Sequence, residues 1–238
     1  MKRVVNTVTT LFLLVSTGVL GSGYTFFSVA DEVTGNVNTL TVLVTGFEPF
    51  DGYDVNPAQL IAETLNGETI GEATVVGISV PVEWNKSVST VIQAIEDVKP
   101  VAVISIGLAA GSWFIRVEKI GLNIRGLPNG EGKRVFRKVN PDGPPLLLTD
   151  LPARCIAKEI RKTGVPARLS CFAGTYICNN LFYSLLWYKS ENKVTLQVCF
   201  IHVPPLTSMD SKRGMKLNKM VETIKTAVNM TLRNCTSV

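Results

Sequence analysis

Residues 88–106 read VSTVIQAIEDVKPVAVISI. Val88, Val91, Ile92, Ile95 and Val98 recur at three- and four-residue spacing, which lines them along one face of a helix. Residues 101–106 (VAVISI) then form an almost continuous apolar, β-branched run, the mark of a strand covered on both faces. The same alternation extends in both directions. Upstream, residues 41–45 (TVLVT) and 73–80 read as strands, and downstream so do 167–171 and 194–203. Asp150 and Pro152 open a further helix, which Gly164 ends and Pro166 prevents from continuing. Leu217, Met220, Val221, Ile224 and Val228 mark a last helix. Strands alternating with helices predict a largely parallel sheet covered by helices. With no internal repeat and no low-complexity linker, residues 40–238 read as one domain and 31–39 as a spacer before it.

Composition agrees and excludes several classes. The chain has 238 residues, of which 46% are hydrophobic and 18% charged, which rules out a disordered, collagen-like or coiled-coil protein. The balance of 24 basic and 19 acidic residues, +5, is too small to require a nucleic-acid partner without a concentrated patch. The basic stretch GLPNGEGKRVFRKVNPDGPP at 126–145 has no aromatic platform between its charges, so it reads as a solvated loop or edge hairpin. It also fails as a phosphate loop, because Leu127 stands where the first Gly is needed and Arg134 where Ser or Thr is needed. Five cysteines are too few for a disulfide scaffold, and their odd number leaves at least one thiol free or paired between chains. The single histidine, His202, excludes zinc sites built on His clusters and must carry any imidazole chemistry. No metal or cofactor is expected.

The first thirty residues stand apart. Lys2 and Arg3 are followed by no charge until Asp31, and residues 11–30 read LFLLVSTGVLGSGYTFFSVA. A basic start, an apolar run and a closing Ser28-Val29-Ala30 resemble a secretory signal. The uncharged run is also long enough, at about 20 residues, to cross a bilayer as a retained anchor. Residues 1–30 are therefore expected to be a signal peptide or an N-terminal anchor, with the membrane contact through residues 4–30. Either reading places the domain outside the cytoplasm; the alternative is a cytoplasmic chain whose first segment is a buried helix.

Three segments carry reactive groups at backbone positions typical of sites. In Ala173-Gly174-Thr175-Tyr176-Ile177-Cys178-Asn179-Asn180, a strand ends, glycine permits a sharp turn, and Leu181, Phe182, Leu185 and Leu186 announce a helix. Cys178 then lies at a helix amino terminus, where unpaired N–H groups and the dipole favour a thiolate. A small buried hydrophobe is the competing reading. In Phe200-Ile201-His202-Val203-Pro204-Pro205, His202 closes the last strand, at the sheet edge where open α/β sheets bind ligands. In residues 107–123, Glu118 lies in an apolar run beside Lys119, either as a salt-bridged structural group or as the orienter of an imidazole.

At these segments the chain resembles the pyroglutamyl peptidases (pyrrolidone-carboxylate peptidases), a family of cysteine peptidases. Thr45-Gly46-Phe47-Glu48-Pro49-Phe50, with Asn56-Pro57 downstream, resembles the family's opening strand and loop. Gly107 to Asn123, with Glu118-Lys119-Ile120-Gly121-Leu122-Asn123, resembles its glutamate signature. Residues 170–179 (SCFAGTYICN) resemble its cysteine signature, and Phe200 to Pro204 its histidine segment. The resemblance runs from about residue 41 to 206. It implies a three-layer α/β/α sandwich of the phosphorylase/hydrolase-like type and a Cys178–His202–Glu118 triad. The implied activity is removal of an N-terminal pyroglutamate from peptides through a thioester on Cys178. It further implies that Phe47 and Phe50 supply faces for the lactam ring and that the backbone of Leu108 supplies hydrogen bonds to it. Homodimers or homotetramers are common in the family.

The chain departs from the family pattern in places. Arg116 stands where the glutamate signature has Ser or Thr, Ser112 where an arginine is common, and Phe172 where a small or acidic residue is usual. Gly126 takes the register of an arginine that supports the oxyanion, leaving Arg125, one step away, as the candidate for that support. Asn129 replaces a familiar aspartate of the same loop, which favours Glu118 as the third triad member. These altered loops keep two alternatives open, a cysteine amidase of different specificity and a catalytically silent exported binding domain.

Overall fold

The computed structural model describes residues 40–128 and 133–233. The leader expected in residues 1–30, the spacer at 31–39 and the departure at Asn129 lie outside the described residues. Eleven strands and five helices follow one another in them. The chain begins with β1 (Leu40–Phe47), α1 (Pro57–Leu65), β2 (Thr69–Ile70), β3 (Ala73–Val80) and α2 (Trp84–Val98). It continues with β4 (Ala102–Leu108), β5 (Ile115–Glu118), β6 (Ile120–Leu122), β7 (Arg125–Pro128), β8 (Arg134–Arg137) and β9 (Leu146–Leu148). The last elements are α3 (Ala153–Lys162), β10 (Ala167–Ser170), α4 (Ile177–Asn192), β11 (Gln197–Val203) and α5 (Leu217–Leu232).

Seven strands form one sheet in the order β10-β5-β11-β4-β1-β3-β2. Its centre, β11-β4-β1-β3, is parallel throughout, as the β-branched runs predict. The flank is mixed, because β5 pairs antiparallel with β11 and parallel with β10. The stretch expected to be a loop or edge hairpin is a two-stranded ribbon, β7 with β8, whose Arg134, Phe136 and Arg137 are exposed.

Period-two alternation sends successive side chains of each strand to opposite faces of the sheet. On one face, Val42, Val44, Ile104, Ile106, Cys199, Ile201 and Val203 pack with residues of α1, α3 and α5. On the other, Leu43, Val103, Val198 and Phe200 pack with Val91 and Ile95 of α2 and Ile177, Leu181, Phe182 and Leu185 of α4. The result is the three-layer α/β/α sandwich that the resemblance implied. Cys155 on α3 is disulfide-bonded, whereas Cys171, Cys178 and Cys199 are free thiols. Among the described residues, no helix is long and apolar enough to cross a membrane.

Candidate active site

The alternation that builds the core also selects the site. Ile115 and Val117 of β5 point into the α1/α3/α5 layer, so Arg116 and Glu118 point the other way. On β11, Cys199, Ile201 and Val203 face that same layer, so His202 shares the opposite face with Phe200. The antiparallel register sets His202 directly across from Arg116 and Phe200 across from Glu118. His202 and Glu118 are thus diagonal neighbours on one face, a separation that long side chains span. His202 Nδ1 lies 2.8 Å from Glu118 Oε1. Both residues are buried, Glu118 completely. A carboxylate only accepts, so it holds the proton on Nδ1 and leaves Nε2 as the basic nitrogen.

Cys178 comes to the same place from the helix layer. The chain leaves β10, turns at Gly174, whose φ of 86° lies in the left-handed region, and starts α4 one residue before Cys178. Side chains of α4 fix that start. Asn179 accepts from the Leu122 amide at 2.9 Å and donates to the Leu122 and Ile124 carbonyls at 2.8 Å, bolting the helix to β6. Asn180 donates to the Trp84 carbonyl at the head of α2, and the Trp84 ring meets Tyr176 edge-on at 5.1 Å. No side chain caps the amino end of α4, so its first N–H groups stay available.

Cys178 Sγ settles over Gly107 of β4, the register partner of His202. A Cβ on Gly107 would come within 3.0 Å of that sulfur and 3.1 Å of the Phe200 ring, so the close approach needs glycine. Thiol and imidazole line one cavity of about 520 Å³. Burial first, and then the negative charge of Glu118, push the Cys178 thiol up from 9.0 to about 12, against smaller opposing effects of its backbone amide and of Arg116. In the resting site burial and Glu118 therefore disfavour the thiolate, against the pull of the helix amino terminus.

Phe47, Phe50 and Leu108 line the same cavity, together with Val82, Phe114, Tyr176 and Ile177. Phe47 also packs in the core under α2 and α4. The loop that carries Phe50 is tied down by Asn56, which donates to the Glu48 carbonyl at 3.1 Å while accepting from the Ala58 amide at 3.0 Å as the cap of α1. The Asn56-Pro57 pair noted in the sequence is that cap, with proline in the first helical turn. Among the described lining residues there is no carboxylate.

Two expectations need adjusting. Arg125 is absent from the lining of this cavity and instead lines another, of about 440 Å³, with Asn85, Gln93, Asn180 and Ser184 between α2 and α4. The Arg125 backbone pairs with Arg137 in the β7–β8 ribbon, while the next residue, Gly126, donates its amide to the Thr175 carbonyl of the cysteine turn at 2.7 Å. Arg116, noted in the sequence only as a departure, lines the cavity and sets its Nε 3.3 Å from Glu118 Oε1. Its spacing from Glu118, two residues along a strand, was the available signal.

Comparison with known proteins agrees with this geometry. The pyroglutamyl peptidase family model matches residues 40–234. Pyrrolidone-carboxylate peptidase 2 of Caldanaerobacter subterraneus subsp. tengcongensis is 36% identical over 203 residues, covering 82% of this chain and 98% of that protein. A pyrrolidone-carboxylate peptidase of Bacillus thuringiensis is 34% identical over 201 residues, covering 83% and 94%. Among solved structures, the pyrrolidone carboxyl peptidase from Thermococcus litoralis superposes with a TM-score of 0.76 at 33% identity, covering 81% of this chain and 93% of that one. Pyroglutamyl peptidase I from Bacillus amyloliquefaciens gives 0.76 at 33%, covering 82% and 96%. With a family match across nearly all the described residues and relatives above 30% identity along most of their length, the chain belongs to the pyroglutamyl peptidase family.

Proposed function

We propose that this peptidase removes an N-terminal pyroglutamyl residue from peptides through Cys178, His202 and Glu118. The carrying observation is the Glu118–His202 hydrogen bond, closed to solvent on one side and facing Cys178 across Gly107 on the other. Glu118 fixes the tautomer, so Nε2 of His202 accepts the thiol proton when substrate enters. The sulfur then attacks the carbonyl carbon of the pyroglutamyl residue, whose oxygen becomes an oxyanion near the free N–H groups of α4. The imidazolium returns the proton to the departing amine, leaving a thioester. Water, activated by the same nitrogen, hydrolyses it and releases pyroglutamate. Preorganised donors of this kind contribute about 3–4 kcal/mol each to the transition state.

The cavity wall supports the substrate class. An ordinary amino terminus is cationic and would need a carboxylate in the lining, whereas a lactam is neutral, flat and partly apolar. Phe47, Phe50, Phe114 and Leu108, without an acidic neighbour in the lining, suit the second. Turnover of a fluorogenic pyroglutamyl amide tests the reading, with free-amine aminoacyl amides as controls. The expected result is release from the pyroglutamyl reporter alone, abolished by iodoacetamide and by Cys178→Ser. Equal release from free-amine reporters would overturn it.

We also propose that residues 1–30 carry the domain out of the cytoplasm. Their charge pattern supports this, and the disulfide at Cys155 suits an oxidising compartment. Protease accessibility of the full chain in intact cells tests it, since complete protection would exclude the placement.

A further inference from the structure

We propose that Arg116 is a positioning residue of this site, whose guanidinium sits against the carboxylate that orients His202 and thereby sets the pH range in which Cys178 reacts. The inference goes beyond the triad but rests on the reading that Cys178 is the nucleophile.

Three geometric facts carry it. Arg116 is the direct cross-strand partner of His202, on the same face as Glu118. Its Nε lies 3.3 Å from Glu118 Oε1, the oxygen that also holds His202 Nδ1. It lines the cavity that contains Cys178. Its side chain is 30% exposed, while that of Glu118 is fully buried. A neutral imidazole satisfies one oxygen of Glu118 by a hydrogen bond but does not balance its charge, and Oε2 has no hydrogen-bond partner. A buried carboxylate needs a compensating cation. Of the charged side chains around it, Arg116 is the one paired with it.

The neighbours on each packed element are few. β11 contributes His202, and Cys199 on its other face. α4 contributes Cys178, and β4, from Ala102 to Leu108, contributes no charged side chain. On β10, Arg168 is in register with Arg116, but its guanidinium stacks on the Phe114 ring at 4.6 Å. Lys119, next along the chain, is exposed. The field at Cys178 is therefore a contest between Glu118, which disfavours the thiolate, and Arg116, which favours it. Without Arg116 the unopposed carboxylate raises the pH needed to form the thiolate. The limb of the pH profile that reports the Cys178 thiol moves in the alkaline direction.

The test uses the full chain and reads two profiles for wild type, Arg116→Thr, Arg116→Gln and Arg116→Lys. The first is kcat/KM for a pyroglutamyl amide against pH. The second is the rate of iodoacetamide labelling of Cys178 against pH, followed by peptide mass, with exposed Cys171 as the internal reference. The expected result is that Thr and Gln move both profiles up by about one pH unit, a roughly tenfold loss at fixed pH below the limb. Lys restores most of the shift, and labelling of Cys171 stays constant. A lower rate or a higher KM with unmoved profiles would overturn the proposal and make Arg116 a packing residue or a substrate contact. If Thr fails to fold, Gln, which keeps most of the stem, gives the same reading. The labelling profile needs no substrate. A shifted labelling profile with no pyroglutamyl turnover would therefore contradict the assigned substrate while upholding Arg116.

Discussion

The two faces of the central sheet are built from the same strands yet have different chemistry. The face under α1, α3 and α5 is packed by Val, Ile, Leu, Ala and Met, with Cys199 the sole buried cysteine among them and no aromatic ring in the cluster. The face under α2 and α4 holds Phe47, Phe182 and Phe200, and on it Arg116, Glu118, His202 and Cys178 converge. Neighbouring positions such as Ile201 and His202 therefore serve different ends, one stability and the other chemistry. A four-residue strand, β5, does the same in miniature, with Ile115 and Val117 on the first face and Arg116 and Glu118 on the second. Burial alone does not separate core from site here, since Glu118 is as buried as Ile201; the direction of the side chain does.

Substitutions on the two faces should separate activity from stability. The largest effect is expected from Cys178→Ser, which removes the nucleophile and should lower turnover on the order of 10⁵-fold while leaving the melting temperature nearly unchanged. Glu118→Gln comes next. It keeps the shape but loses the charge and the fixed tautomer, so kcat/KM should fall by about 10²–10³-fold, as measured by steady-state kinetics. Ile201→Ala, one residue from His202 but on the aliphatic face, should do the opposite. Denaturant unfolding should show a loss of about 3 kcal/mol, with kcat almost unaltered in the surviving folded fraction. If Ile201→Ala proved as damaging to kcat as Glu118→Gln, the division between faces would fail.

The smallest effect concerns pH. Cys199 is pushed up to about 12, by burial and then by the charge of Glu118. A thiol whose folded value lies above its unfolded one stabilises the fold fully below the unfolded value and loses that contribution as pH rises toward the folded one. The folded chain should therefore weaken from about pH 9 upward, Cys199 contributing at most about 1.4 kcal/mol per pH unit. Cys199→Ala should flatten that alkaline decline relative to wild type in unfolding curves between pH 9 and 10.5. An unchanged slope would show that Cys199 titrates as freely in the fold as out of it.

Much of this was legible in the sequence, for reasons that can be traced to particular residues. The central strands announce themselves because parallel strands covered on both faces must be nearly continuous in Val, Ile and Leu. Cys178 and His202 were legible because a helix start after a glycine turn, and the end of the last strand, are both positions that a sequence marks. β5 was not anticipated as a strand. Only Ile115 and Val117 of its four residues are apolar, and the other two are directed to the site rather than the core. The nine residues of α1 are too few for a clear helical period, and Asn56-Pro57, which resembles part of a loop in the sequence, is its cap. The pairing of Arg116 with Glu118 stayed hidden with it, since two charges in an apolar run become neighbours only once the run is extended. Loop register points to Arg125 as the oxyanion support, whereas its side chain lines a different cavity, which register along a loop does not reveal.

The account turns on Cys178 becoming acylated, and the most direct measurement is the mass of the protein quenched in acid during turnover of a pyroglutamyl ester or amide. It predicts one pyroglutamyl group per chain, carried as a thioester on the peptide containing Cys178, sensitive to hydroxylamine and lost after substrate is exhausted. Sustained release of pyroglutamate by Cys178→Ser, with no adduct at that position in the wild-type chain, would contradict it.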